Sequence, residues 1–164
     1  EVAAHMQAKV AAAGVEMPHV YMEPGRSIVA DAGLTLYTVG AVKKIEGYKN
    51  YVSVDGGMTD NPRYALYQSE YTVLPAARMG EERAMIADVV GRCCESGDII
   101  QPAVAMPEGM QRGDLVAVLT TGAYNYSMAS NYNRIPRPPV VMLGKDGPYV
   151  AVRRETLEDL TAYE

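Results

Sequence analysis

The chain has 164 residues, of which 48% are apolar, and a net charge of −5. That is about one domain in length, with enough apolar side chain to bury a core. The negative charge argues against nucleic acid or an anionic membrane as partner, and no apolar run approaches the roughly 20 residues of a membrane span.

Twelve tyrosines stand against no Trp and no Phe, so the aromatic positions of core and site alike fall to tyrosine. The two cysteines, Cys93 and Cys94, are neighbours. A disulfide between them is strained and closes no useful loop, which points to a reducing, cytoplasmic setting. His5 and His19 lie far apart without a cysteine nearby, so no zinc site is expected. The first residue is Glu1 rather than Met, and the chain reads as a piece of a longer one.

Residues 1–13 are Ala-rich, with Val2, Met6, Val10 and Ala13 along one face. They predict a helix with Gly14 as its C-cap. Met17 to Met22 predicts a short strand, ended by Glu23-Pro24-Gly25-Arg26. Helix, loop, strand and a polar cluster at the strand's C-terminal end are the grammar of a parallel α/β unit. One helix and one strand close no such sheet, so this segment reads as the tail of a domain that begins upstream.

From residue 34 the grammar changes. Apolar and β-branched runs recur at 34–45, 48–54, 69–75, 84–90, 99–104, 115–119, 139–143 and 148–153, separated by Gly, Pro, Asn and Asp. This pattern predicts a mainly β domain, an antiparallel barrel or sandwich. Residues 81–87 fit a helix equally well. Thr156 to Tyr163 predicts a short closing helix, with Thr156 as cap and Asp159 three residues on.

Three polar clusters punctuate these elements: EPGR at 23–26, DNPRYALY at 60–67 and CCESGD at 93–98. Charged or reactive groups on turns between strands are the usual address of a binding or catalytic site. Taken singly, each is as readily a solvated surface turn. Arg63 offers a planar fork that holds a carboxylate through two hydrogen bonds. Arg26 sits beside Gly25, where a bare backbone lets an anion come close. Cys94 and Glu95 on one turn offer a proton donor and a partner for an ammonium. Tyr124 suits a flat ring or the core, and residues 127–133 (SMASNYN) suit a loop near a ligand or a subunit contact.

The segments EPGR, DGGMTDNPRYALY (55–67), CESGD (94–98) and GAYNYSMASNYNRIPRP (122–138), in this order and spacing, resemble the C-terminal portion of the pyridoxal-phosphate-dependent ornithine/diaminopimelate/arginine decarboxylases. EPGR and the Cys-acidic pair belong to the wider group. DNPRYALY together with CESGD resembles the diaminopimelate branch, and the likeness runs over nearly all of the chain. It implies that residues 1–31 are the last helix and strand of a (β/α)8 barrel and that 32–164 form the C-terminal β-barrel domain. It implies that Glu23, Pro24, Gly25 and Arg26 help hold the phosphate of pyridoxal 5'-phosphate, with Tyr124 near the cofactor ring. Arg26, Arg63, Tyr67, Glu95 and Tyr124 would line the substrate site, and Cys94 would deliver the proton after carbon dioxide leaves. Cys94 and Glu95 would reach the neighbouring subunit's site, which implies a homodimer. The substrate implied is meso-2,6-diaminopimelate, converted to L-lysine and CO2 in lysine biosynthesis.

One departure is severe. The family needs a lysine that binds the cofactor covalently, and none of Lys9, Lys43, Lys44, Lys49 and Lys145 sits in the family's lysine motif. Most of the (β/α)8 barrel is absent as well, so a fragment inactive by itself is expected. The alternatives are a decarboxylase of another amino acid or carboxylated polyamine, and a non-catalytic β-barrel interaction module.

Overall fold

The computed structural model describes residues 1–164. Helix α1 spans Val2–Ala12, and Gly14 follows it in the left-handed conformation at φ +66°, which a residue without Cβ adopts at no steric cost. No residue of α1 is buried. The strand expected at Met17–Met22 does not form: residues 15–25 are irregular, and Val20, Tyr21 and Met22 are exposed. A strand exists only through a paired neighbour, and no segment of this chain pairs with these residues. The EPGR cluster leads directly into a short helix, α2 (Arg26–Val29), and a 3-10 turn at Ala30–Ala32.

Six strands make the main sheet. They are β1 (Leu34–Lys44), β2 (Asn50–Val54), β3 (Val73–Leu74), β4 (Met85–Val90), β5 (Ile99–Met106) and β6 (Leu115–Leu119). The order is β3-β6-β1-β2-β4-β5, and the edge strands β3 and β5 come into contact, so the sheet nearly closes into a barrel. All pairs are antiparallel except β2 with β4, which run parallel from Asn50 opposite Ala87 to Ser53 opposite Val90. Residues 81–87, open to either reading from the sequence, form no helix: 81–84 are irregular and 85–87 begin strand β4. Its inward side chains Met85, Ala87 and Val89 alternate with period two and are buried.

The same alternation puts Tyr37 and Val39 of β1, Val52 and Val54 of β2, and Val116 and Val118 of β6 into one core with Ile100 and Met106. Full burial of each such aliphatic side chain is worth roughly 1.5–3 kcal/mol before chain entropy is counted. The outer-facing partners Leu34, Leu36, Ile86 and Leu115 remain exposed.

A separate hairpin, β7 (Val140–Gly144) and β8 (Gly147–Val152), follows. Helix α4 (Leu157–Leu160) closes the chain with the expected cap. The Thr156 hydroxyl accepts from the Asp159 N–H, and the Asp159 carboxylate accepts from the Thr156 N–H at 2.7 Å. No helix is long and apolar enough to cross a membrane.

Candidate active site

Two of the three polar clusters meet. After β2 the chain turns at Gly57, whose carbonyl accepts from the N–H groups of Asp60 (3.1 Å) and Asn61 (2.8 Å). The Asp60 carboxylate takes the Gly57 N–H at 2.9 Å and the Tyr37 hydroxyl from the core. Burial pushes the Asp60 carboxyl and the Tyr37 phenol above their ordinary pKa values. This turn delivers Pro62 as the residue before a short helix, α3 (Arg63–Tyr67). Proline costs nothing there, since no intrahelical bond needs its missing N–H. The helix is too short to show as a period in the sequence.

Arg63 opens α3. Its guanidinium carbon lies 4.6 Å from the centroid of the Tyr67 ring and 5.7 Å from that of Tyr124. Arg26 approaches Tyr124 to 5.6 Å, so one ring serves two guanidinium groups. Arg26 is held by its Nη1, which donates to the Thr120 carbonyl at 3.3 Å. Tyr124 and Thr120 both have positive φ, +65° and +60°. Such a backbone costs a non-glycine residue about 1–3 kcal/mol and concentrates at functional sites. Gly25 faces the same ring, and a methyl group there would overlap the Tyr124 hydroxyl.

Several polar atoms in this region are buried without a protein partner: Arg26 Nη2, Arg63 Nε, Asn125 Nδ2 and both ends of the Asn61 amide. Unpaired buried donors on cations are costly, and an anion or a hydrogen-bonding ligand relieves the cost. Two arginine forks, a bare backbone at Gly25 and a flat ring at Tyr124 fit the phosphate and ring of pyridoxal phosphate and a carboxylate. Glu23 and Pro24 lie exposed on the irregular stretch, and Glu23 makes no side-chain hydrogen bond.

The third cluster stands apart. Cys94 and Glu95 are exposed on the 93–98 turn, and their hydrogen bonds that involve a side chain run to Ser96, Gly97, Tyr132 and Asn133 rather than to either arginine. The Cys94 N–H donates to Asn133 Oδ1 at 3.0 Å, and the Tyr132 hydroxyl donates to Glu95 Oε2 at 3.5 Å. Cys93 is half-buried. Desolvation first, then the neighbouring Asp98, pushes its thiol up to about 11, so it stays protonated and unreactive. Residues 122–138 run past both regions, with Tyr124 against the arginines, Met128 Sδ 3.8 Å from Arg63 Nη1, and Tyr132 and Asn133 against the Cys94-Glu95 turn.

Sequence reasoning did not single out Asp60, Asp98, Asn61, Asn125, Thr120 or Met128. Asp60 and Asp98 were visible inside the two motifs, but nothing in the sequence showed their carboxylates turned inward.

Residues 19–122 match the model of the pyridoxal-dependent decarboxylase C-terminal sheet domain, and the chain belongs to that family. Within it, the chain is 52% identical over 147 residues to a diaminopimelate decarboxylase of Bacillus subtilis (strain 168), covering 90% of this chain and 33% of that one. A solved diaminopimelate decarboxylase from M. jannaschii, in complex with L-lysine, superposes with a TM-score of 0.83 at 34% identity, over 96% of this chain and 35% of that one. A lysine/ornithine decarboxylase from Vibrio vulnificus, complexed with cadaverine, gives 0.60 at 28% identity, over 70% and 31%. The chain spans about a third of the length of the curated relatives it matches.

Proposed function

We propose that these residues are the C-terminal third of a diaminopimelate decarboxylase, which converts meso-2,6-diaminopimelate to L-lysine and CO2 in lysine biosynthesis. Residues 1–31 then end a cofactor-binding (β/α)8 barrel, and 32–164 form its β-barrel domain. The whole enzyme works as a cytoplasmic homodimer with shared sites. Its relatives by name, and the better agreement with that branch than with the lysine/ornithine decarboxylase, support the assignment.

Pyridoxal phosphate, when bound, supplies the electron sink for loss of CO2. The chain's own residues do the rest. With the cofactor bound, Glu23, Pro24, Gly25 and Arg26 would hold its phosphate end, with the Arg26 fork as the charged donor, and Tyr124 would lie near its ring. Arg63 grips the substrate's distal carboxylate through two parallel hydrogen bonds. Glu95, brought by the partner subunit, accepts from the distal ammonium. Cys94 Sγ gives its proton to the carbon that has lost its carboxylate.

The observation that carries the reading is Arg63. Its fork is stacked on Tyr67 beside Tyr124, with Nε buried and unpaired, as a recogniser of a planar anion requires. A substrate ending in a simple amine, such as lysine or ornithine, needs only an acidic partner. The experiment is Arg63→Ala in the whole enzyme. The expected loss in kcat/KM for diaminopimelate is about 10²-fold, with a narrower gap between diaminopimelate and lysine. An unchanged preference would take the carboxylate role from Arg63 and move it to Arg26.

A further inference from the structure

The Asp98 carboxylate is 4% exposed and has no cation bonded to it. One oxygen accepts the Met58 N–H and the other accepts the Cys93 N–H, each at 2.6 Å. Met58 lies on the turn that delivers Arg63, and Cys93 adjoins Cys94. One buried carboxylate thus joins the turn that leads to Arg63 with the turn that carries Cys94 and Glu95. Charge-assisted bonds to backbone N–H are among the stronger hydrogen bonds a carboxylate makes.

The surroundings are cut to fit it. A Cβ on Gly57 would stand 2.5 Å from Asp98 Oδ1, and one on Gly91 would overlap Oδ2. Further backbone bonds run alongside: the Arg92 N–H donates to the Gly56 carbonyl (3.0 Å), the Gly91 N–H to that of Asp98 (2.9 Å) and the Asp98 N–H to that of Glu95 (3.1 Å). On the other side of the 93–98 turn, Asn133 holds the Cys94 N–H. The exposed thiol therefore sits on a turn whose backbone is fixed from both flanks.

We propose that Asp98 is a positioning residue for the proton-transfer step, pinning the turn that presents Cys94 to the partner subunit's site. The proposal rests on the reading of Cys94 as the proton donor. Asp98 touches no substrate and acts only through Cys94.

The test is Asp98→Asn in the whole enzyme, which keeps shape but sets an amide N–H against one of the two backbone N–H groups. Two readouts are taken. Hydrogen exchange at the Met58 and Cys93 amides reports the clamp whatever the reaction. It should speed at least about ten-fold at one or both, while the Val52 and Val89 amides of the core stay protected. The second readout is kcat in a double-mutant cycle with Cys94→Ala. Asp98→Asn alone should lower kcat about ten-fold with little change in KM, and it should cost nothing further once Cys94 is Ala. A merely structural defect would multiply with Cys94→Ala and would overturn the proposal, as would unchanged exchange at both amides. Faster exchange with wild-type kcat would leave a clamp without a catalytic role, which also overturns it. If Cys94→Ala itself leaves kcat intact, the reading of Cys94 falls and takes the proposal with it, and the exchange data show that the clamp was not at fault. Where Asp98→Asn does not fold, Gly91→Ala displaces the same carboxylate and carries the same test. Failure of both to fold would assign Asp98 to stability alone.

Discussion

Arg63 and Tyr67 are one helical turn apart on α3, and the guanidinium lies over the phenol ring at 4.6 Å. Tyr67 is exposed while Arg63 Nε is buried, so the ring shields one face of the cation from solvent. Cation–π pairs at exposed rings are worth about 0.5–1 kcal/mol, and this one orients the fork before substrate arrives.

Replacing Tyr67 by Leu keeps an apolar surface under Arg63 and removes the π face. In the whole enzyme this should raise KM for diaminopimelate by about two- to five-fold and leave kcat nearly unchanged, as the cation–π magnitude converts. Steady-state kinetics read it directly. A fall in kcat with constant KM would mean that Tyr67 acts at the chemical step instead.

Cys94 and Cys93 have opposite surroundings although they are neighbours. Cys94 is exposed on its turn, whereas Cys93 is half-buried against Asp98 with its thiol pushed up to about 11. Cys94→Ala should lower kcat by about 10²–10⁴-fold, the usual worth of a general acid, with KM little changed. Cys93→Ala should be mild. Reversed phenotypes would assign the proton to Cys93 instead.

The eight strands were legible because apolar and β-branched residues alternate and turn residues separate them, as in Val52 and Val54 or Met85, Ala87 and Val89. The Thr156–Asp159 cap was legible because its chemistry is local. The parallel pairing of β2 with β4 was not, since pairing direction is a non-local property that alternation does not encode. Met17–Met22 carries the composition of a strand, but it finds no partner in this chain. The site was legible as residue types and motifs. The positive φ of Tyr124 and the inward turn of Asp60 and Asp98 were not, because each depends on what packs behind the loop.

The loop from Tyr124 to Pro138 is anchored at its far end by an ion pair. Arg137 Nε donates to Glu155 Oε1 at 2.7 Å, and the Arg137 backbone N–H and the Asn131 side-chain amide Nδ2 donate to Oε2 at 2.8 and 2.7 Å. These bonds, led by the Arg137 side chain, hold the Glu155 carboxyl down at about 2, against an ordinary value of 4.5. A lowered folded pKa means stability that is full above about 4.5 and is lost as pH falls toward 2. Arg137 is partly exposed, so screening keeps the worth to about 1 kcal/mol, or roughly 2–4 °C in Tm. Glu155→Gln should therefore lower Tm at pH 7, and the gap to the parent should close as pH falls below 4.5. A gap independent of pH would show that the carboxylate charge contributes nothing.

The central claim is tested most directly by carbon dioxide release from the whole enzyme loaded with pyridoxal phosphate. Offered separately, meso-diaminopimelate should give CO2 and an equal amount of L-lysine, while lysine and ornithine give little, because neither offers Arg63 a distal carboxylate. These 164 residues alone, lacking the cofactor-binding lysine motif, should match a protein-free blank on all three. Release from lysine or ornithine at a rate equal to or above that from diaminopimelate would contradict the account, and so would turnover by the 164 residues alone.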